Sequence, residues 1–173
     1  NLMLLKGKVS KGRYTFKLKN CVRKVFYQTD WEEWHQLIEK YTGNILQYVD
    51  VMEKVFPGYL IQHGYFSKNA YFFDYKILPG KSMAPYEHTP EFVESFRQFC
   101  IDSIKETAPY SHGDWTPDNV LDYQGKWTLI DWDCVGLRSI TETQRTLNKN
   151  LKETFGYDFD IVTKRELSFM EKQ

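Results

Sequence analysis

The hydrophobic period changes once along this chain, near residue 80, and that change limits the folds open to it. Before it the pattern is mostly that of strands. Residues 13–18 alternate, Lys19-Asn20 reads as a turn, and residues 21–27 resume with β-branched and aromatic side chains. With residues 3–6 ahead of a turn over 7–12, three antiparallel strands are predicted. Asp30 then stands where it can N-cap a helix, with Glu33 at the capping-box position and Trp31, Trp34, Leu37, Ile38 and Tyr41 on one face. A second helical piece over 45–56 stops before Pro57-Gly58, and two more strands follow over 59–66 and 70–78, with a turn at 67–69. After Pro79 the order reverses. Thr89-Pro90-Glu91 is a cap, a proline at the first helical position and an acid, and Phe92, Val93, Phe96, Phe99, Cys100 and Ile104 mark one face of the helix that ends near Ala108-Pro109. Short strands over 120–123 and 127–130 enclose a Gln124-Gly125 turn. Sheet first and helices later, joined over 79–85, is a two-lobed α+β pattern.

Composition excludes several classes. Aromatic residues make up 17% of the 173, too many for a disordered chain. The 23 basic and 23 acidic residues balance, so bulk charge gives no argument for a nucleic-acid or membrane-surface partner. No stretch approaches the ~18 consecutive apolar residues of a membrane span, which leads to the expectation of a soluble, cytoplasmic protein. Cys21, Cys100 and Cys134 are odd in number and far apart, which indicates neither a disulfide framework nor a zinc knuckle. His35, His63 and His88 lack metal-ligand spacing and read as structural or exposed.

Chemistry concentrates in Ser111-His112-Gly113-Asp114-Trp115-Thr116-Pro117-Asp118-Asn119, followed across a hairpin by Leu129-Ile130-Asp131-Trp132-Asp133. A loop offers Asp114 and Asn119 five residues apart, and a strand end offers Asp131 twelve residues further on. Carboxylates and an amide carbonyl are hard oxygen ligands that suit Mg²⁺ better than zinc or copper. A remaining carboxylate can accept a proton from an attacking hydroxyl. These are the parts that phosphoryl transfer uses, because its catalysis is mostly positioning and charge stabilisation.

HGDxxxxN followed by IDWD resembles the catalytic and metal-binding segments of the aminoglycoside phosphotransferase and choline kinase family, over roughly residues 7–135. The resemblance implies a protein-kinase-like fold: an N-terminal five-stranded antiparallel sheet with a helix, residues 1–80, as the nucleotide-binding lobe, and a small, mainly helical catalytic lobe, residues 81–173. It implies Asp114 as catalytic base, His112 as a loop-organising residue, Asn119 and Asp131 as Mg²⁺ ligands, and Asp133 as a helper near the metal or the substrate. ATP and Mg²⁺ are the cofactors it implies, and a small molecule bearing a hydroxyl is the acceptor.

A kinase-like first lobe also needs a phosphate-covering hairpin, a strand lysine and a helix glutamate. Lys24 on the third strand is the lysine candidate, sharing its face with Val22 and Phe26, with a solvent-facing strand residue as its other reading. Glu33 is the candidate partner, with Glu32 and Glu39 as alternatives and helix capping as its other reading. The turn over 7–12 would lie over the phosphates, with Ser10 in contact. It is not a P-loop, since Arg13-Tyr14 stands where Lys-Ser/Thr is required. Residues 73–80 resemble the lobe-connecting hinge, where backbone groups between Tyr75 and Ile77 would bond adenine.

Family members usually carry a longer helical C-terminal region, whereas here two helices are predicted after Asp133, over 139–155 and 162–172. The acceptor side is then closed either by this remnant or by a second subunit of a homo-oligomer. Trp115, Trp127 and Trp132 read as core residues or, alternatively, as a cage for a cationic acceptor. Competing with an active small-molecule kinase are a nucleotide-binding pseudokinase or scaffold and a protein kinase. No Ala-Pro-Glu-like segment follows Asp133 to support the last.

Overall fold

The structure, a computed structural model, describes residues 3–8, 12–82 and 89–156. It is a mixed architecture of antiparallel sheets and, among the described residues, four α-helices, and the chain divides into two compact units after Leu78. Ser10, His88 and the helix expected over 162–172 lie outside the described residues.

The first unit is built on a five-stranded sheet of strands β1 (Met3–Lys8), β2 (Arg13–Lys17), β3 (Cys21–Tyr27), β4 (Leu60–Ser67) and β5 (Ala70–Lys76), in the order β1-β2-β3-β5-β4. The ladder between β3 and β5 sets Val22 opposite Tyr75, Lys24 opposite Phe73 and Phe26 opposite Tyr71, so these six side chains share one face. Helices α1 (Gln28–Thr42) and α2 (Ile45–Val55) cover that face with rings: Trp34 stacks on Phe26 at 5.2 Å, Trp31 on Tyr71 at 4.5 Å, and Tyr48 meets Phe73 edge-on at 5.9 Å. On the opposite face Arg23 pairs with the fully buried Asp74 at 2.7 and 2.8 Å, and its guanidinium lies over Phe66 and Phe72. At the outer edge, β4 carries two β-bulges, whose extra residues are Ile61 and Phe66.

The start of α1 differs from the capping expectation. The strand β3 runs straight into the helix, with Gln28 in the left-handed region at φ 48° and its N–H donating to the Asn69 carbonyl. The N-cap position therefore falls on Tyr27, and Asp30 sits inside the first turn, buried, accepting a 2.7 Å hydrogen bond from Arg13 Nε. A guanidinium rising from the sheet is a stronger partner for this carboxylate than an exposed backbone N–H. The buried stripe of α1 is Asp30, Trp31, Trp34 and Ile38; Leu37, at the stripe's edge, and Tyr41, in the last turn, are exposed, contrary to the spacing. Asn44 N-caps α2, accepting from Gln47 N at 2.9 Å.

In the second unit, helix α3 (Pro90–Thr107) starts as its sequence indicates, with Thr89 Oγ1 accepting from Phe92 N. It buries Val93, Phe96, Cys100, Ile101 and Ile104. A three-stranded sheet of β6 (Lys81–Ser82), β7 (Val120–Tyr123) and β8 (Lys126–Leu129) presents Trp127 to Phe92, Phe96 and Phe99 at 5.5 to 5.6 Å. The strand β6 was not expected, since two residues are too few to show a period and only pairing with β7 defines them. Helix α4 (Ile140–Phe155), N-capped by Ser139, packs against a 3₁₀ turn over Pro117–Asn119. Among the described residues no helix is long and apolar enough to cross a membrane. All three cysteines are free.

Candidate active site

The loop from Ser111 to the 3₁₀ turn and the segment after β8 are tied together in the second unit by side-chain-to-backbone bonds. His112 is buried, and both its ring nitrogens are engaged: Nδ1 accepts from the Asp114 backbone N–H at 3.1 Å, so Nε2 carries the proton and donates to the Ile130 carbonyl at 2.7 Å. Burial pushes its pKa down to about 4, against the opposing pull of the Ile130 carbonyl and the negative charges of Asp114, Asp131 and Asp133. A neutral imidazole thus sits within the field of three carboxylates. Trp132 closes over it, edge to ring at 4.6 Å, with its own Nε1 donating to the Leu129 carbonyl.

Asn119 closes the other end of the loop. Its Nδ2 donates to the Asp114 carbonyl at 2.9 Å and approaches Asp114 Oδ2 at 3.4 Å, which leaves Oδ1 as the amide atom available to a ligand. The Asn119 carbonyl accepts from Ile130 N at 2.7 Å, so Asp131 begins one residue beyond the point where the end of β8 is tied to Asn119. Asp131 takes a left-handed conformation, φ 60° and ψ 60°, at a cost on the order of 1 kcal/mol that is concentrated at a carboxylate. The Asp114 side chain is exposed, open to an incoming group.

Two further residues hold these segments together, and the sequence reading gave neither a role. Gly113 has φ 87°, and a Cβ there would lie 2.4 Å from the Cys134 carbonyl oxygen and 2.6 Å from its Cβ. Only glycine lets the loop pass this close. Ser111, buried, donates through Oγ to the Arg138 carbonyl and accepts from Gly136 N through its own carbonyl, which anchors the stretch leading into α4. The glycine between His112 and Asp114 was a legible signal; a lone serine was not.

In the first unit, Lys24 lies on the helix-covered face with its Nζ over the Tyr75 ring. Glu33 and Glu32 are on the exposed side of α1, and Glu39 faces His35 at 3.4 Å. Of the residues expected to form an adenine-binding hinge, Tyr75 is inside β5 between β3 and β4, the Lys76 N–H is engaged by the Tyr59 carbonyl, and Ile77 is the first residue past the strand. The aromatic-cage reading of the tryptophans is overturned: Trp115 and Trp132 are buried, and Trp127 packs on α3, so these rings are core.

Among the described residues no group of three or more His, Cys, Asp or Glu side chains forms a ready metal cluster. The donor set that sequence suggested is different, an amide oxygen with one or two carboxylates. That set suits a Mg²⁺ ion, which keeps several waters and takes phosphate oxygens for the rest. The freed Oδ1 of Asn119 fits such a site.

The fold these parts belong to is kinase-like. It is shared with WbdD: a WbdD structure in co-crystal with the kinase inhibitor LY294002 is 15% identical with a TM-score of 0.53, over 85% of this chain and 36% of that one. A second WbdD crystal structure is 16% identical with a TM-score of 0.54, over 86% and 36%. This chain therefore spans little more than a third of the length of those proteins, and at such identity the likeness speaks for the fold alone. No family model and no curated protein matches the sequence.

Proposed function

We propose that this chain is an ATP- and Mg²⁺-dependent phosphotransferase with a two-lobed, kinase-like architecture, moving the γ-phosphate of ATP to a hydroxyl of a small molecule of the choline, sugar or aminoglycoside kind. The observation that carries the reading is the chain of bonds from Asn119 through Asp114 and His112 to Ile130, which fixes a candidate base and two candidate metal ligands relative to one another. Asp114 would take the proton of the acceptor hydroxyl, because its carboxylate is exposed while its backbone is held on both sides. Asn119 Oδ1 and the Asp131 carboxylate would hold Mg²⁺, with Asp133 beside them. The bound ion would neutralise charge on the phosphates. Lys24 would meet the α- and β-phosphates, and backbone from Ile77 onward would meet adenine. His112 contributes by staying neutral: its two bonds require one protonated and one bare nitrogen.

Titration calorimetry of ATP with and without Mg²⁺ tests the metal site before any acceptor is known. Mg²⁺-dependent binding is expected in the wild type and is lost in Asp131→Ala. Asp114→Asn should bind Mg-ATP within about twofold of the wild type yet turn over about a hundredfold more slowly or worse in phosphate release. Wild-type protein that ignores ATP, or full turnover in Asp114→Asn, would defeat the proposal.

A further inference from the structure

Lys24 is an unusual neighbour for the side chains around it. It stands opposite Phe73 on the face whose other members include Phe26, Tyr71 and Tyr75, all buried, and which α1 and α2 cover. An ammonium brought among rings loses hydration, and that loss is large unless something on the protein replaces it. The aliphatic stem of a lysine can lie along apolar surface while its head finds a polar or π partner. Here Nζ lies 5.4 Å from the centroid of the Tyr75 ring, over its face, inside the range of a cation–π contact.

The orientation of that ring is itself fixed. Tyr75 is 2% exposed, parallel to Phe73 within 14° at 6.3 Å and tilted against Tyr59 at 5.1 Å. It cannot turn its face away without breaking two ring contacts, so it is a stationary target for the ammonium. Glu33, the carboxylate that the sequence suggested for this task, points to the exposed side of α1.

We infer that the face of the Tyr75 ring holds the Lys24 ammonium in place, making Tyr75 a positioning residue for the phosphate-binding lysine. This deepens the nucleotide reading above and rests on it for the identity of the anion. The contact itself rests on the geometry alone.

A fluorination series at residue 75 separates ring electrostatics from ring packing, since fluorine strips the π face of its negative charge with little change of shape. Tyr75→Phe and its 4-fluoro, 3,5-difluoro and 3,4,5-trifluoro analogues are compared. The first readout is the titration of Lys24 followed by NMR after ¹³C-dimethylation, with Lys24→Arg identifying the signal. The second is Mg-ATP affinity by calorimetry. Tyr75→Phe should stay within twofold of the wild type in both, while the trifluoro analogue should weaken Mg-ATP about fivefold. The Lys24 pKa should fall stepwise with each fluorine. An unchanged Lys24 titration across the series overturns the inference, as does a trifluoro analogue that binds Mg-ATP as tightly as Tyr75→Phe. Wild-type protein that binds no ATP overturns the nucleotide reading and leaves the contact to be judged by the titration.

Discussion

The two units hold their charged groups by different means. In the first, cations lie on aromatic faces: Arg13 over Phe26 and Trp34, Arg23 over Phe66 and Phe72, Lys24 over Tyr75, with Asp30 and Asp74 buried as counter-ions. In the second, the polar side chains of the candidate site bind backbone: His112 the Ile130 carbonyl, Asn119 the Asp114 carbonyl, Ser111 the Arg138 carbonyl. Ring faces are broad and tolerate small displacements, whereas a hydrogen bond to a carbonyl weakens steeply once its angle is lost. The first unit should therefore be sensitive to the removal of charges and rings, and the second to small changes in the path of its backbone.

Gly113→Ala gives this contrast its hardest test. A methyl group at φ 87°, 2.4 Å from the Cys134 oxygen, should cost about 4 kcal/mol and separate the Asp114 loop from the segment carrying Asp131. Urea unfolding followed by the fluorescence of Trp115, Trp127 and Trp132 reads it; a loss under about 1 kcal/mol would mean that the backbone path has more slack than the contact implies. Next in size, Arg23→Ala leaves the fully buried Asp74 with Gln62 as its remaining side-chain hydrogen-bond partner among the described residues, at a cost of about 3 kcal/mol read from Trp31 and Trp34.

Acid provides a third test. His112 has a folded pKa depressed from 6.5 to about 4, so it contributes stability that is complete above pH 6.5 and lost as the pH falls toward 4. Between pH 7 and pH 5 the second unit should lose about 2 kcal/mol through this group, and His112→Gln should flatten that dependence. The same slope in the variant would assign the acid sensitivity elsewhere. The smallest effect belongs to Leu46→Gln, at a side chain 69% exposed, where a change within about 0.5 kcal/mol is expected in either unit's transition.

Much of the architecture was legible because its signals are local. Alternation over 13–18 and the Thr89-Pro90 start of α3 need no distant partner to be read. The misreadings all involve residues far apart in sequence. Asp30 reads as a cap until Arg13, seventeen residues earlier, claims it. Leu37 and Tyr41 have the spacing of a buried stripe but not the position on the sheet that would bury them. Lys81 and Ser82 become a strand only through β7. At the site, residue types and spacing pointed to Asp114, Asn119 and Asp131, and the family resemblance added His112; the structure ties His112, Asp114 and Asn119 to one another and to the residue before Asp131. The bond from Ser111 to Arg138 and the close pass of Gly113 at Cys134 depend on loop geometry that spacing does not encode.

The doubled bulge of β4 bears on how this protein behaves in concentrated solution. An outermost strand with Ile61 and Phe66 more than half exposed would ordinarily invite another chain to zip alongside it. Here each of those residues is the unmatched member of its bulge, and only Gln62, His63, Gly64 and Tyr65 run in unbroken register between them. A visiting strand finds four residues of regular template, too short a run to nucleate a growing cross-β stack, and two of the three large exposed side chains of the edge, Ile61 and Phe66 but not Tyr65, sit where a ladder cannot propagate.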